Sequence, residues 1–114
     1  MILGFIGTGK ISSSIIYGIF NSKLKVNKIY ISSRNRNIAK KLAKKFREVK
    51  ILKNNQEIID KSSTIILGVT PNVGNKILPR LKFLKSKRII SLISTMDLRK
   101  IKKITKNKNI VRVI

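Results

Sequence analysis

Short apolar blocks alternate with longer amphipathic stretches along this chain, and the two kinds of period predict its elements. Ile2 to Ile6 is an apolar run of strand length that ends at glycines, and Lys10 to Phe20 then places Ile11, Ile15, Ile16 and Ile19 at helical spacing. A β-branched run from Lys28 to Ser32 ends in the polar cluster Ser33-Arg34-Asn35, after which Ile38, Leu42, Ala43 and Phe46 mark one face of a lysine-rich helix. Val49 to Leu52 reads as a short strand and Asn55 to Lys61 as a brief helix, with Asn54 or Asn55 suited to cap it. Thr64 to Val69 is a continuous apolar run rather than an alternating one, the pattern of a central parallel strand covered on both faces, and it stops at Thr70-Pro71. Val73 to Leu84 is the next predicted helix, Arg88 to Ile93 the next buried strand, Asp97 to Thr105 a basic helix, and Ile110 to Ile114 a last strand.

Six strands alternating with five helices through short connections call for a parallel sheet with right-handed crossovers. The expected fold class is therefore α/β, a doubly wound parallel sheet of the Rossmann type. At 114 residues the chain is long enough for one such domain and too short for a second substantial one. A chain ending on a strand also raises the expectation that a further segment follows.

Composition narrows the chemistry. There is no His and no Cys, and the only acids are Glu48, Glu57, Asp60 and Asp97, scattered over different elements. A zinc site of His and Cys, a Ser-His-Asp or Cys-His arrangement and a paired-carboxylate site are all excluded, so no metal site and no catalytic side chain is expected. Any catalysis would need a cofactor to carry it. No apolar run approaches the roughly 20 residues that cross a bilayer, and the start breaks at once into a glycine turn instead of a secretory signal. A cytoplasmic location without membrane contact is the default expectation, and the lack of cysteine agrees with it.

Charge adds a competing possibility. With 27 Lys and Arg against four acids the formal charge is +23, enough to attract polyanions at low salt. The bases are nevertheless spread along the chain, and aromatics that could stack on nucleotide bases are few, so no specific nucleic-acid partner is expected.

The chemistry is carried by the turn between the first strand and the first helix, Gly7-Thr8-Gly9. The first glycine lets the chain turn sharply, and the second leaves no side chain between the backbone and a pyrophosphate. Ser12 stands third in the fingerprint, where a small residue lets helix and strand pack closely. The backbone N–H groups from Lys10 through Ile11 to Ser12 then point at the phosphates from the helix N-terminus. The second strand ends about 20 residues further on, where the ribose-reading residue is expected. It carries Ser33-Arg34 and no acid. An acid there would repel a 2′-phosphate, whereas Arg34 can clamp one and Ser33 can donate to it, so NADPH is expected to be preferred over NADH.

Ile6 to Ser12, Ile15-Ile16-Tyr17-Gly18, Ser33-Arg34-Asn35, Asn55-Gln56-Glu57, Val69-Thr70-Pro71 and Val111-Arg112-Val113 together resemble, in order, the cofactor domain of pyrroline-5-carboxylate reductases. That resemblance implies reduction of 1-pyrroline-5-carboxylate to proline, the last step of proline biosynthesis. It also implies that Gly7, Thr8, Gly9, Lys10, Ile11 and Ser12 hold the pyrophosphate and that Ser33 and Arg34 hold the 2′-phosphate. Asn55 would take the adenosine side, and Val69, Thr70 and Pro71 the nicotinamide end. Three departures stand out: Ile11-Ser12 for the family's Met-Ala, Thr70 for a lysine, and Ile93-Ser94-Thr95 for an Ala-Ala-Gly loop. The family's dimer-forming helical domain, which completes the pocket for the small imine substrate, has no counterpart in these 114 residues. An NADP-dependent oxidoreductase domain is the leading expectation, and an inactive nucleotide-binding module or redox sensor on the same fold is the alternative.

Overall fold

The computed structural model describes residues 1–113. It forms one six-stranded sheet, every adjacent pair parallel, in the order β3-β2-β1-β4-β5-β6. The strands are β1 (Ile2–Ile6), β2 (Lys28–Ser32), β3 (Val49–Leu52), β4 (Thr64–Leu67), β5 (Arg88–Ser91) and β6 (Ile110–Arg112). The helices are α1 (Lys10–Phe20), α2 (Arg36–Lys45), α3 (Asn55–Lys61), α4 (Pro71–Ile77) and α5 (Leu98–Thr105). The expected doubly wound architecture is thus observed among the described residues.

Side chains leave each strand on alternate faces, and this divides the core in two. Leu3, Phe5, Ile29, Ile31 and Ile66 pack with Ile16 of α1 and with Ala39 and Leu42 of α2. Ile6, Tyr30, Ile65, Leu67 and Ile89 pack on the other face with Ile58 and Ile59 of α3 and Ile101 of α5. Strands covered on both sides have no polar face to offer water, so they are apolar throughout and carry little period-2 signal. The chain order reverses between β1 and β4: from β1 the sheet runs outward through β2 and β3, from β4 through β5 and β6. A crevice outside the carboxyl ends of the strands forms at such a switch point.

Element boundaries differ from the sequence expectation in five places. The strand expected to run to Val69 ends at Leu67, because Gly68 and Val69 leave the sheet toward the crevice. The helix expected over Val73 to Leu84 begins earlier, at Pro71 with Thr70 as its cap, and α4 stops at Ile77. A single 3₁₀ turn, Leu78–Arg80, follows. Pro79 explains the stop, since it has no N–H to continue the ladder and its ring clashes with the preceding turn. The strand expected to reach Ile93 ends at Ser91, whose Oγ accepts the Ile93 N–H at 3.2 Å and bends the chain away. Asp97, expected inside a helix, is its N-cap, with Oδ1 accepting from Lys100 N at 2.8 Å. The last strand ends at Arg112, and Ile114, expected to extend it, lies outside the described residues.

Candidate cofactor site

The first turn of α1 is open to a ligand because the protein leaves it unfinished. Its first intrahelical bond runs from Ser13 N to the Gly9 carbonyl, 3.0 Å, so the four preceding N–H groups have no helical partner. Gly9 is the N-cap and offers no side chain, and no acid lies in that turn. In α3, α4 and α5, by contrast, Asn54, Thr70 and Asp97 each cap the helix with a side-chain oxygen, whereas α2, which starts beside the same cleft after Asn35, is uncapped like α1. The N-terminal half-charge of α1 is therefore left for an anion from outside.

The two glycines of the turn differ in what requires them. Gly7 has φ +97°, and a Cβ there would lie 2.5 Å from the Gly68 carbonyl oxygen and 2.8 Å from Val69 Cγ1. The fold itself demands that glycine. Gly9 has φ −96°, a value any residue adopts, and a Cβ there would meet nothing within 4 Å. Nothing in the protein needs Gly9 to lack a side chain, but a phosphate seated against the helix end does.

Ser12 lies beneath this turn, 1% exposed, and its Oγ has no hydrogen-bond partner among the described residues. It faces Gly68 at the end of β4, where a Cβ would fall 2.6 Å from that hydroxyl. The small residue that lets α1 approach the sheet is thus supplied from across the contact, by Gly68, and this admits a serine where glycine or alanine is usual. Thr8 is also buried: its hydroxyl donates to the Ser32 carbonyl at 3.2 Å and bonds the Ser32 hydroxyl at 3.0 Å. These bonds tie the glycine turn to the end of β2 and fix the spacing between the two halves of the crevice. Thr8 therefore presents its backbone, not its side chain, to a ligand.

The crevice is a cleft of about 690 Å³ at the carboxyl ends of β1, β2, β3 and β4. It brings together eight of the expected residues: Gly7, Thr8, Gly9, Ser33, Arg34, Asn55, Val69 and Thr70. Pro71, Lys10, Ile11 and Ser12 do not line it. Lys10 and Ile11 are exposed on the first turn of α1, Ser12 is buried below it, and Pro71 occupies the first turn of α4, where its fixed φ suits a helix start. Asn54 performs the capping considered for Asn55, its Oδ1 accepting from Glu57 N at 2.8 Å, and this leaves Asn55 free toward the cleft. Val69 is half-buried and packs its outer side on the core while lining the cleft.

Sequence reasoning missed Gly68, Ser32, Arg36 and Lys53 as cleft residues. Arg36 and Asn37 continue the polar cluster already noted at the end of β2, so a signal existed for them. Lys53 has none, because only the β2–β3 pairing brings it there. The electrostatics are one-sided: Arg34, Arg36 and Lys53 line the cleft, and among the described residues no carboxylate does. Glu57 is engaged by Lys61 at 3.4 Å, Asp60 by Gln56 at 3.0 Å, and Asp97 caps α5. Among the described residues no cluster of acids, His or Cys could hold a metal, and no helix is long and apolar enough to cross a membrane.

A switch-point cleft with an uncapped helix end, a glycine kept free for a ligand and a basic far wall defines a dinucleotide-binding domain. The chain belongs to the family described as NADP oxidoreductase, coenzyme F420-dependent, which matches residues 2–95. It is an NADP-binding oxidoreductase domain similar to pyrroline-5-carboxylate reductases, as its motifs suggested. The Streptococcus pyogenes enzyme shares 27% identity over 98% of this chain and 41% of its own, with TM-score 0.79. A Plasmodium falciparum pyrroline carboxylate reductase with NADP bound shares 24% over 98% of this chain and 41% of its own, TM-score 0.77. Prephenate dehydrogenase from A. aeolicus, in complex with NAD+, has the same backbone likeness, TM-score 0.79, at 15% identity and over 98% of this chain and 40% of its own. That last likeness is one of fold alone. The chain spans about two fifths of the length of these structures.

Proposed function

We propose that this chain binds NADPH and presents it for reduction of a small cyclic imine, 1-pyrroline-5-carboxylate or a close relative, as part of proline biosynthesis in the cytoplasm. The observation that carries the reading is Gly9, a glycine that the fold does not need, in front of an uncapped helix end. The first turn of α1 would hold the pyrophosphate through backbone N–H groups at Gly9, Lys10 and Ile11. Buried Ser12 would brace that turn from below. Ser33 and Arg34 would take the 2′-phosphate, Asn55 the adenosine side, and Val69, Thr70 and the start of α4 at Pro71 would border the nicotinamide. When bound, the nicotinamide supplies the hydride. The chain's own residues supply orientation and a cleft free of competing carboxylates. In this reading the substrate pocket is completed by a further part that also forms the dimer, in keeping with the fraction of the reductase structures that the chain spans.

Two measurements test it. Titration of the purified chain should give at least tenfold tighter binding of NADPH than NADH, and Arg34→Asp should narrow or reverse that gap, because a carboxylate there repels a 2′-phosphate. Equal affinity in the wild-type chain would refute the preference. NADPH oxidation with pyrroline-5-carboxylate should then be sought for this chain alone and joined to a reductase-type helical domain. Tight NADPH binding with no turnover in either form would instead favour the inactive module. The replacements at Thr70 and Ser94 give that second reading its support.

A further inference from the structure

We infer that Lys53 is a specificity-determining residue of the cofactor cleft, the second cation of a 2′-phosphate seat built across two strands. The inference rests on the NADPH reading above and adds to it a residue from a different element. In the parallel register of β2 and β3, Ser32 lies opposite Leu52, so the next residues, Ser33 and Lys53, leave the sheet side by side. Both line the cleft, together with Arg34 and Arg36. Among the described residues Lys53 has no carboxylate within salt-bridge distance, since the one ion pair there joins Lys61 to Glu57.

An unpaired lysine is unremarkable in a chain with 27 bases, so position decides the matter. Lys50 on the same strand is exposed but does not line the cleft, whereas Lys53 stands at the carboxyl end of its strand, where a doubly wound sheet binds its ligand. Its neighbour Ser33, just past the end of β2, lines the same cleft and in the reading above would donate to the phosphate. The two chemistries are complementary: the Arg34 guanidinium offers a fork of donors in a fixed plane, and the Lys53 ammonium is a compact charge on a flexible stem. A phosphate monoester carrying nearly two charges at neutral pH has three oxygens and can satisfy both. NADH, with a hydroxyl in that place, gives Lys53 nothing to bind, so the lysine should act on the difference between the cofactors and leave their shared parts untouched.

Lys53→Met tests this, with Lys50→Met as the control for loss of one charge from a strongly basic surface. Both side chains are exposed, so both variants should melt with the wild type. Lys53→Met should weaken NADPH about tenfold, the loss of one charge-assisted contact, leave NADH within about twofold, and flatten the salt dependence of NADPH binding by about one ion. Lys50→Met should do none of these. An unchanged NADPH-to-NADH ratio, equal weakening of both cofactors, or the same effect from Lys50→Met would each overturn the assignment of Lys53. A wild-type chain without any preference for NADPH would instead overturn the reading beneath it, so the two failures are distinguishable.

Discussion

The two glycines of the turn should respond to the same substitution in opposite ways. Gly9→Ala places a methyl where the protein has open space and a φ of −96° that alanine adopts freely. Alanine is a poorer N-cap than glycine, at a cost on the order of 0.5–1 kcal/mol. Its smaller unfolded-state entropy returns about 0.4–1 kcal/mol. The net change is close to zero, and the melting temperature should stay within about 5 °C of wild type. The methyl does, however, occupy the approach of the pyrophosphate to the α1 N–H groups. Displacing the phosphates by about one methyl diameter forfeits two charge-assisted backbone contacts, each worth about 1.5–3 kcal/mol, so NADPH affinity should fall by a hundredfold or more.

Gly7→Ala is the counterpart. A φ of +97° strains any L-residue, which costs about 1–2 kcal/mol, and the methyl would lie 2.5 Å from the Gly68 carbonyl oxygen. Relief of that overlap requires a shift of β4's end, for about 1–3 kcal/mol more. A total near 3 kcal/mol should lower the melting temperature by ~12 °C or more. Thermal melts followed by circular dichroism give the first quantity, and NADPH fluorescence titration the second. If Gly9→Ala binds NADPH as tightly as wild type while melting normally, the glycine is not kept for a phosphate, and the pyrophosphate site is misplaced.

Two further substitutions test packing and strain. Gly68→Ala should destabilise by about 1–3 kcal/mol through its contact with Ser12 Oγ, and adding Ser12→Gly should recover at least half of that; additive losses in urea midpoints would show that the two positions are not coupled. Thr95, β-branched, and Lys106, the C-cap of α5, hold φ of +57° and +54°. Replacing either with glycine should therefore stabilise by about 0.5–1 kcal/mol, with urea midpoints that fall instead arguing that a side-chain contact holds these turns.

The fold was legible because its signals are local. Apolar runs of strand length, helical spacing from Ile11 to Ile19, and glycines between strand and helix each belong to a few neighbouring residues, and the parallel order follows from their alternation. The boundaries that moved are those where one residue outweighs a pattern. Pro79 ends a helix whose apolar spacing continues to Leu84, and the Ser91 hydroxyl ends a strand whose apolar run continues to Ile93. The lining of the cleft was legible where it is a stretch of sequence, at Gly7 to Gly9 and at Ser33-Arg34. It was not legible at Gly68 and Lys53, which enter the cleft through the pairing of β1 with β4 and of β2 with β3. Local sequence carries no record of such pairings.

Gly68 also changes how the fingerprint is understood. Its third position is commonly treated as a requirement on one residue, yet the physical requirement is on a distance, between the first turn of α1 and the end of β4. Either side of the contact can supply the missing atoms. Here Ser12 keeps its hydroxyl and Gly68 gives up its side chain, while the Gly68 carbonyl in turn forbids a side chain at Gly7. The three positions form one packing unit spread over two strands and a helix. A serine in the third position therefore weakens the case for a dinucleotide site only when no glycine faces it. With Gly68 opposite, α1 reaches the sheet as closely as the fold demands, and its free N–H groups remain aimed at the place where a pyrophosphate would lie.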